Sequence, residues 1–238
     1  MYLTRNQAYR KVPRVRIPPS PPKIKDIKGE TGMICKMTMW CLIILFSTFG
    51  EIRAQDRMPP IPPEKYDEVQ KKAAAEFLEA RKKPVFGPFE PLMYSPELMN
   101  IARSMGDYLR FKPAIGTTLS EFVILITARE WSQDYEWSIH APIALKQGIK
   151  KEVIDAIADG RRPTGMSIDE EICYDVSIEL HHIKRVSDKT YERAVQRFGE
   201  KGVLDIIGIN GYYSFLAMAM NTAQYRPKDS TKLTRFPD

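Results

Sequence analysis

From Ser95 onward apolar positions recur at helical spacing between short breaks, and nothing longer than a few residues alternates in the two-residue rhythm of a strand. The pattern predicts an all-α protein. Helices are expected over about Pro96–Phe111, Ser120–Ala128, Gln133–Gln147, Lys150–Ala158, Ser167–Arg185, Asp188–Phe198 and Lys201–Ala223. Gly148, Gly160 and Gly199 stand where helix C-caps belong, and Ser120 and Ser187 where N-caps belong. Glu64 to Lys83 reads as a further amphipathic helix, stopped by Pro84 and Gly87-Pro88. The segment after it, VFGPFEPLMYSP, is too rich in proline for regular structure. Glu170–Ile183 and Val203–Met220 are the most apolar helices and are expected to form the core. The second contains Asp205, Asn210 and two glycines, which predicts a buried core or subunit-interface helix rather than a membrane span.

The front of the chain reads differently. Met33 to Ala54 has Lys36 ahead of an apolar run from Met37 to Phe46, then small and polar residues, the layout of a secretory signal peptide cut after Ala54. The protein is therefore expected to be exported, periplasmic or secreted, with no stable membrane insertion after cleavage; a retained N-terminal anchor is the other outcome. Residues 1–32 precede that signal and are expected to be a spurious or disordered extension. Their VPRVRIPPSPP stretch resembles a translated transfer-RNA gene, so the true start is expected at Met33, Met37 or Met39. Residues 55–84 form a Pro-rich spacer and the N-terminal helix, 85–226 the main domain, and 227–238 a polar tail.

Charge changes the picture only at the N-terminus. The net charge of +6 arises from ten Lys or Arg against three Asp or Glu in residues 1–54, leaving 26 basic and 27 acidic residues from Gln55 onward. A nearly neutral domain gives no electrostatic case for binding nucleic acid. Of three cysteines, Cys35 and Cys41 fall within the signal, so Cys173 remains alone and no intramolecular disulfide is expected. It lies in an apolar helix and is expected to be packed and inert.

The candidate chemistry sits in EWSQDYEWSIHAPIALKQG, Glu130 to Gly148. Glu136 and His140 are four residues apart, which puts a carboxylate and an imidazole on one helix face. Such a pair can move protons near neutral pH, the carboxylate raising the histidine pKa and burial lowering it. Around it, Arg129 could bind a substrate carboxylate or make a surface ion pair. Trp131, Tyr135 and Trp137 could line a pocket or belong to the core. His181 and His182, adjacent on a helix, point about 100° apart and cannot chelate one ion together, and no other ligand spacing appears, so no metal site is expected.

Leu119–Ile149, LSEFVILITAREWSQDYEWSIHAPIALKQGI, and Asp188–Thr222, DKTYERAVQRFGEKGVLDIIGINGYYSFLAMAMNT, resemble the carboxymuconolactone decarboxylase-like family, whose superfamily also contains the alkyl hydroperoxidase D enzymes. The resemblance covers about residues 85–226 and is sharpest in the YEWxxH run from Tyr135 to His140. It implies an all-helical bundle that assembles through its core helices into a homo-trimer or homo-hexamer, with sites near subunit boundaries. Asn210, Tyr212 and Tyr213 would serve packing and inter-subunit hydrogen bonds. In the hydroperoxidase branch a CxxCxxxH motif reduces peroxide with an upstream glutamate. Here the histidine position is His140 and the glutamate Glu121, while Gln133 and Glu136 occupy the cysteine positions. A peroxidatic cycle needs a thiolate and a resolving partner, which neither residue can replace. In the decarboxylase branch, CO2 leaves an unsaturated lactone acid and a proton is delivered to carbon. The resemblance then makes His140 the general acid, charged by Glu136, with Glu121 or Tyr135 completing a relay. Arg129, Gln133, Tyr135 and Trp137 are the expected substrate-binding residues for a small-molecule substrate, without cofactor. The rival expectations are a divergent hydroperoxidase-like redox protein, whose peroxide consumption would depend on Cys173, and a non-catalytic oligomeric ligand-binding protein.

Overall fold

A computed structural model describes residues 57–225. The expectations for the extension, the signal segment and the polar tail lie outside the described residues. After a 3-10 turn at Pro63–Lys65, α1 spans Glu68–Arg81, opened by a capping box in which Asp67 accepts from the Gln70 N–H and Gln70 from the Asp67 N–H. The Asp67 cap starts α1 four residues later than Glu64, and Lys82 closes it in the left-handed conformation. Pro84 disfavours a helical residue before it, so the helix cannot run on. The proline-rich segment holds one short helix, α2 (Phe89–Leu92). Proline is tolerated there because first-turn N–H groups have no intrahelical partner.

The helix α3 (Pro96–Phe111) begins on a proline, and α4 (Thr117–Glu130) is capped by Gly116 at φ +83°. Ser120 was expected to cap α4, but it lies inside the helix, where its buried hydroxyl donates to the Leu109 carbonyl and ties α4 to α3. The next two helices are α5 (Asp134–Lys146) and α6 (Lys151–Ala158), followed by Gly148 and Gly160 at positive φ. A second capping box, Ser167 with Glu170, starts α7 (Ile168–His182). The last helix, α8 (Asp188–Ala223), is capped by Ser187 and interrupted at Gly199 (φ 67°, ψ 172°), where the sequence predicts a break between two helices.

The centre of the bundle is α4. Every residue from Ser120 to Ala128 is buried, and the helix packs against α5, α7 and α8 while also touching α3 and α6. A helix apolar on all sides belongs inside a bundle, and FVILI from Phe122 to Ile126 supplies that surface. Two polar residues ride in with it, Glu121 and Thr127, and burial obliges each to find a partner. The helix α8 is long and apolar enough to cross a membrane by length and composition, yet 56% of its apolar window is buried within the bundle. Its buried Asp205 accepts from the Tyr108 hydroxyl and the Ala114 N–H. Buried Asn210 donates to the Ser177 hydroxyl and the Ile206 carbonyl, and its Oδ1 accepts from Thr127 and lies 2.9 Å from His181 Nε2. These Asn210 bonds join α8 to α4 and α7 within the chain, in keeping with the expected packing role.

Leu98, Ile101, Met105 and Tyr108 form an exposed apolar stripe on α3, and Leu204, Ile207 and Met218 are exposed on α8.

Candidate active site

Helices α1, α3, α4, α5 and α8 contribute the polar side chains of the site. Glu121, on the second turn of α4, and His140, on the second turn of α5, meet where these two helices pack together. His140 Nδ1 lies 2.5 Å from Glu121 Oε2, and Nε2 lies 3.2 Å from Glu136 Oε2 one turn back on α5. The three side chains are only 3–4% exposed. Glu121 also accepts from Arg110 Nε of α3 at 3.3 Å through its other oxygen. Edge-on contact with Tyr213 of α8, 5.2 Å between centroids and 88° between planes, fixes the imidazole plane, and Tyr212 meets Tyr213 in the same way.

Burial by itself pushes the His140 pKa down, but hydrogen bonding and charge from Glu121 and Glu136 outweigh it, and the net shift is upward. The two carboxylates thus favour the imidazolium over the neutral ring. Burial, reinforced by the Glu136 charge, holds the Tyr213 hydroxyl far above its usual range, so it stays a neutral phenol. Because the two carboxylates take opposite ring nitrogens, the three donors diverge from any common point, and among the described residues no group of three could hold a metal ion.

A cavity of about 40 Å³ reaches these groups, bounded by Arg81, Arg110, Glu136, His140, Tyr212 and Tyr213. A larger apolar groove of about 560 Å³, between Pro60–Pro63 and α1, shares no residue with it and contains no histidine. The smaller cavity is the one that His140 and Glu136 bound. Two buried atoms of its lining make no hydrogen bond, Arg81 Nε, which has Asp107 Oδ1 at 2.7 Å as an ion pair, and Glu136 Oε1.

The structure brings together Glu121, Glu136 and His140, and places the other sequence-derived candidates elsewhere. Gln133 caps α5 by accepting from the Tyr135 N–H and donates to Asn221 at 2.7 Å, which locks α5 to the end of α8. Tyr135 packs edge-on against Tyr225, lies over Gly87 and has its pKa pushed up to about 12, by burial first and then by Glu136 and Glu90. Trp137 is buried in the core without bounding the cavity. Arg129 donates through Nε to the Ala158 carbonyl, satisfying the C-terminal end of α6. Trp131 donates to Ser214, and His182 pairs with Glu130 on the surface. The cavity residues that the spacing did not reveal are Arg81, Arg110, Tyr212 and Tyr213, contributed by α1, α3 and α8.

No protein-family model matches the chain, and none of the curated proteins matches it. Among solved structures it is similar to the alkylhydroperoxidase AhpD core of an uncharacterized peroxidase-related protein from Ralstonia eutropha JMP134, with 16% identity, a TM-score of 0.58, and coverage of 73% of this chain and 92% of that one. The chain has an AhpD-like fold. Cys173, the one cysteine among the described residues, is buried on α7 and does not bound the cavity. Burial first, then Asp169 and Glu170, pushes its thiol well above the usual range, away from the thiolate a peroxidatic step requires.

Proposed function

We propose that this protein is a cofactor-independent proton-transfer enzyme, related to the carboxymuconolactone decarboxylase-like group, that decarboxylates or protonates a small organic acid or lactone. The observation that carries the reading is the unpartnered Glu136 Oε1 at the cavity. Both nitrogens of His140 are occupied, so the imidazole reaches a substrate only through a neighbour. Glu136 is the group that touches substrate, His140 supplies its proton, and Glu121, steadied by Arg110, sets the ring's position and charge. The sequence gives the acid role to His140; with a carboxylate on each ring nitrogen, the proposal assigns that role to Glu136.

In the decarboxylation step the carbon–carbon bond to CO2 breaks, and its electron pair passes into the conjugated carbonyl of the substrate. The proton of His140 Nε2 passes to the Glu136 carboxylate, the neutral carboxyl so formed delivers it to carbon and returns to the carboxylate, and solvent reprotonates the imidazole after release. Acid–base groups of this kind contribute about 10²- to 10⁴-fold each. The apolar stripes of α3 and α8 also support assembly of copies through these helices, which light scattering of the purified chain would measure as a trimer or hexamer rather than a monomer.

The test incubates the full chain with a panel of unsaturated lactone acids in D2O and follows CO2 release and deuterium at the protonated carbon. Glu136→Gln and His140→Gln should each lower turnover at least about 100-fold with the helical circular dichroism intact. Unchanged rates in both variants overturn the reading. Binding without turnover across the panel would make the protein a non-catalytic binder.

A further inference from the structure

The ion pairs connected to the cavity, including the Arg103–Asp107 pair behind its wall, hold more cations than anions. Arg81 Nε lies 2.7 Å from Asp107 Oδ1, Arg103 Nη1 2.8 Å from Asp107 Oδ2, and Arg110 Nε 3.3 Å from Glu121. Tyr212 joins the two halves, because its hydroxyl feels Glu136, Arg81, Asp107 and Arg110 together. With protonated His140, four cations (Arg81, Arg103, Arg110, His140) face three anions (Asp107, Glu121, Glu136). Moving the proton from His140 to Glu136 leaves that balance at +1. The side chains of Arg81 and Arg110 are 12% and 21% exposed, so this surplus sits largely out of water, where an unmatched charge is costly.

We infer that the cavity recognises its substrate as a monocarboxylate, gripped between Arg81 and Arg110, with the apolar body of the substrate resting on Phe86, Phe89 and Ile139. Those three residues bound the same cavity, and Ile139, 40% exposed, marks its mouth. A volume of about 40 Å³ admits a carboxylate and little more, so the rest of the molecule lies at this apolar rim. Guanidinium suits the role because its planar set of five N–H donors matches the two oxygens of a carboxylate, and pairing through Nε engages only part of that set. One surplus charge matches one carboxylate; a second carboxylate would enter the same partly dry space unmatched. The inference rests on the proton-transfer reading of this site and adds Arg81 and Arg110 as its substrate-binding residues.

Calorimetric titration of the full chain with propionate, propionamide and succinate tests it. Propionate should bind saturably, and its uncharged isostere and the dianion each at least about tenfold more weakly. Arg81→Gln and Arg110→Gln should each weaken propionate about 10- to 100-fold, the range of a hydrogen bond to a charged group. Since Arg110 also supports Glu121, Arg81→Lys is the control that leaves that pair alone: it keeps the charge, loses the planar fork, and should fall between wild type and Arg81→Gln. No saturable propionate heat, equal binding of propionamide, or arginine variants that bind like wild type would each overturn the inference. Glu136→Gln separates the two readings, because it removes the acid but leaves the grip, and should bind propionate at least as tightly as wild type. Turnover that survives Glu136→Gln sinks proton transfer alone, whereas propionate binding that survives both Arg→Gln changes sinks the carboxylate grip alone.

Discussion

Glu121 Oε2 and His140 Nδ1 stand 2.5 Å apart between α4 and α5, both out of water and nineteen residues apart in the chain. The pair has a pH signature whose sign follows from the upward shift of His140. The folded state binds this proton more tightly than the unfolded chain, where histidine titrates near 6.5. The stabilisation is complete below about pH 6.5 and is lost as pH rises through the folded-state value. Urea melts between pH 5 and 9 should show this decline for the wild type and a weaker one for Glu121→Gln. Nitrogen-15 NMR should place the His140 midpoint above 6.5 in the wild type and lower in the variant.

Asn210→Ala should destabilise the fold by about 1–3 kcal/mol, the penalty for buried donors and acceptors left unmatched. The change strands the Ser177 and Thr127 hydroxyls and His181 at the junction of α4, α7 and α8. None of the four residues bounds the cavity, so propionate affinity measured on the folded variant should match wild type.

Gly106 of α3 supports the site by its lack of a side chain. A Cβ there would come within 2.7 Å of Tyr212 Cζ, so Gly106→Ala must displace the ring that joins the two charged halves of the cavity. Overpacking of this kind costs about 1–3 kcal/mol. The double variant with Tyr212→Phe, which removes the atom nearest the new methyl group, should recover part of the lost melting temperature, and a cycle without coupling would refute the contact.

Cys173 should not react with iodoacetamide in the native protein and should react after urea unfolding, as read by mass spectrometry of its peptide. It is fully buried and its thiolate is disfavoured. Any peroxide consumption by the chain should be the same in Cys173→Ser, and a loss there would restore the thiol peroxidase reading.

The sequence makes the helices legible because their signals are local: Ser187 caps where spacing predicts, and Gly199 interrupts where a stop was expected. Ser120 misled because a serine before an apolar run reads as a cap, although here the run is buried on every side and the hydroxyl binds α3. Within the site, Glu136 and His140 share one helix and show in the four-residue spacing, whereas Glu121 emerges only through the family resemblance. Arg81, Arg110 and Tyr212 come from α1, α3 and α8, and no periodicity within one segment brings such distant residues together. Arg129, Gln133 and Tyr135 were drawn in by nearness to the motif. Their backbone and interhelical bonds explain them as helix-end and packing residues.

Under the proposed proton transfer, the row Glu121, His140, Glu136 makes the chemistry electrically silent from outside. A proton that hops from the imidazole to Glu136 travels a few ångströms within a buried cluster whose total charge stays the same, so no counter-ion has to enter or leave for the step to occur. Dissolved salt screens over about 8–10 Å in water and acts on charges it can surround. Ionic strength will therefore govern how readily an anion arrives at the mouth beside Ile139, while the transfer inside proceeds at a rate the bath cannot tune.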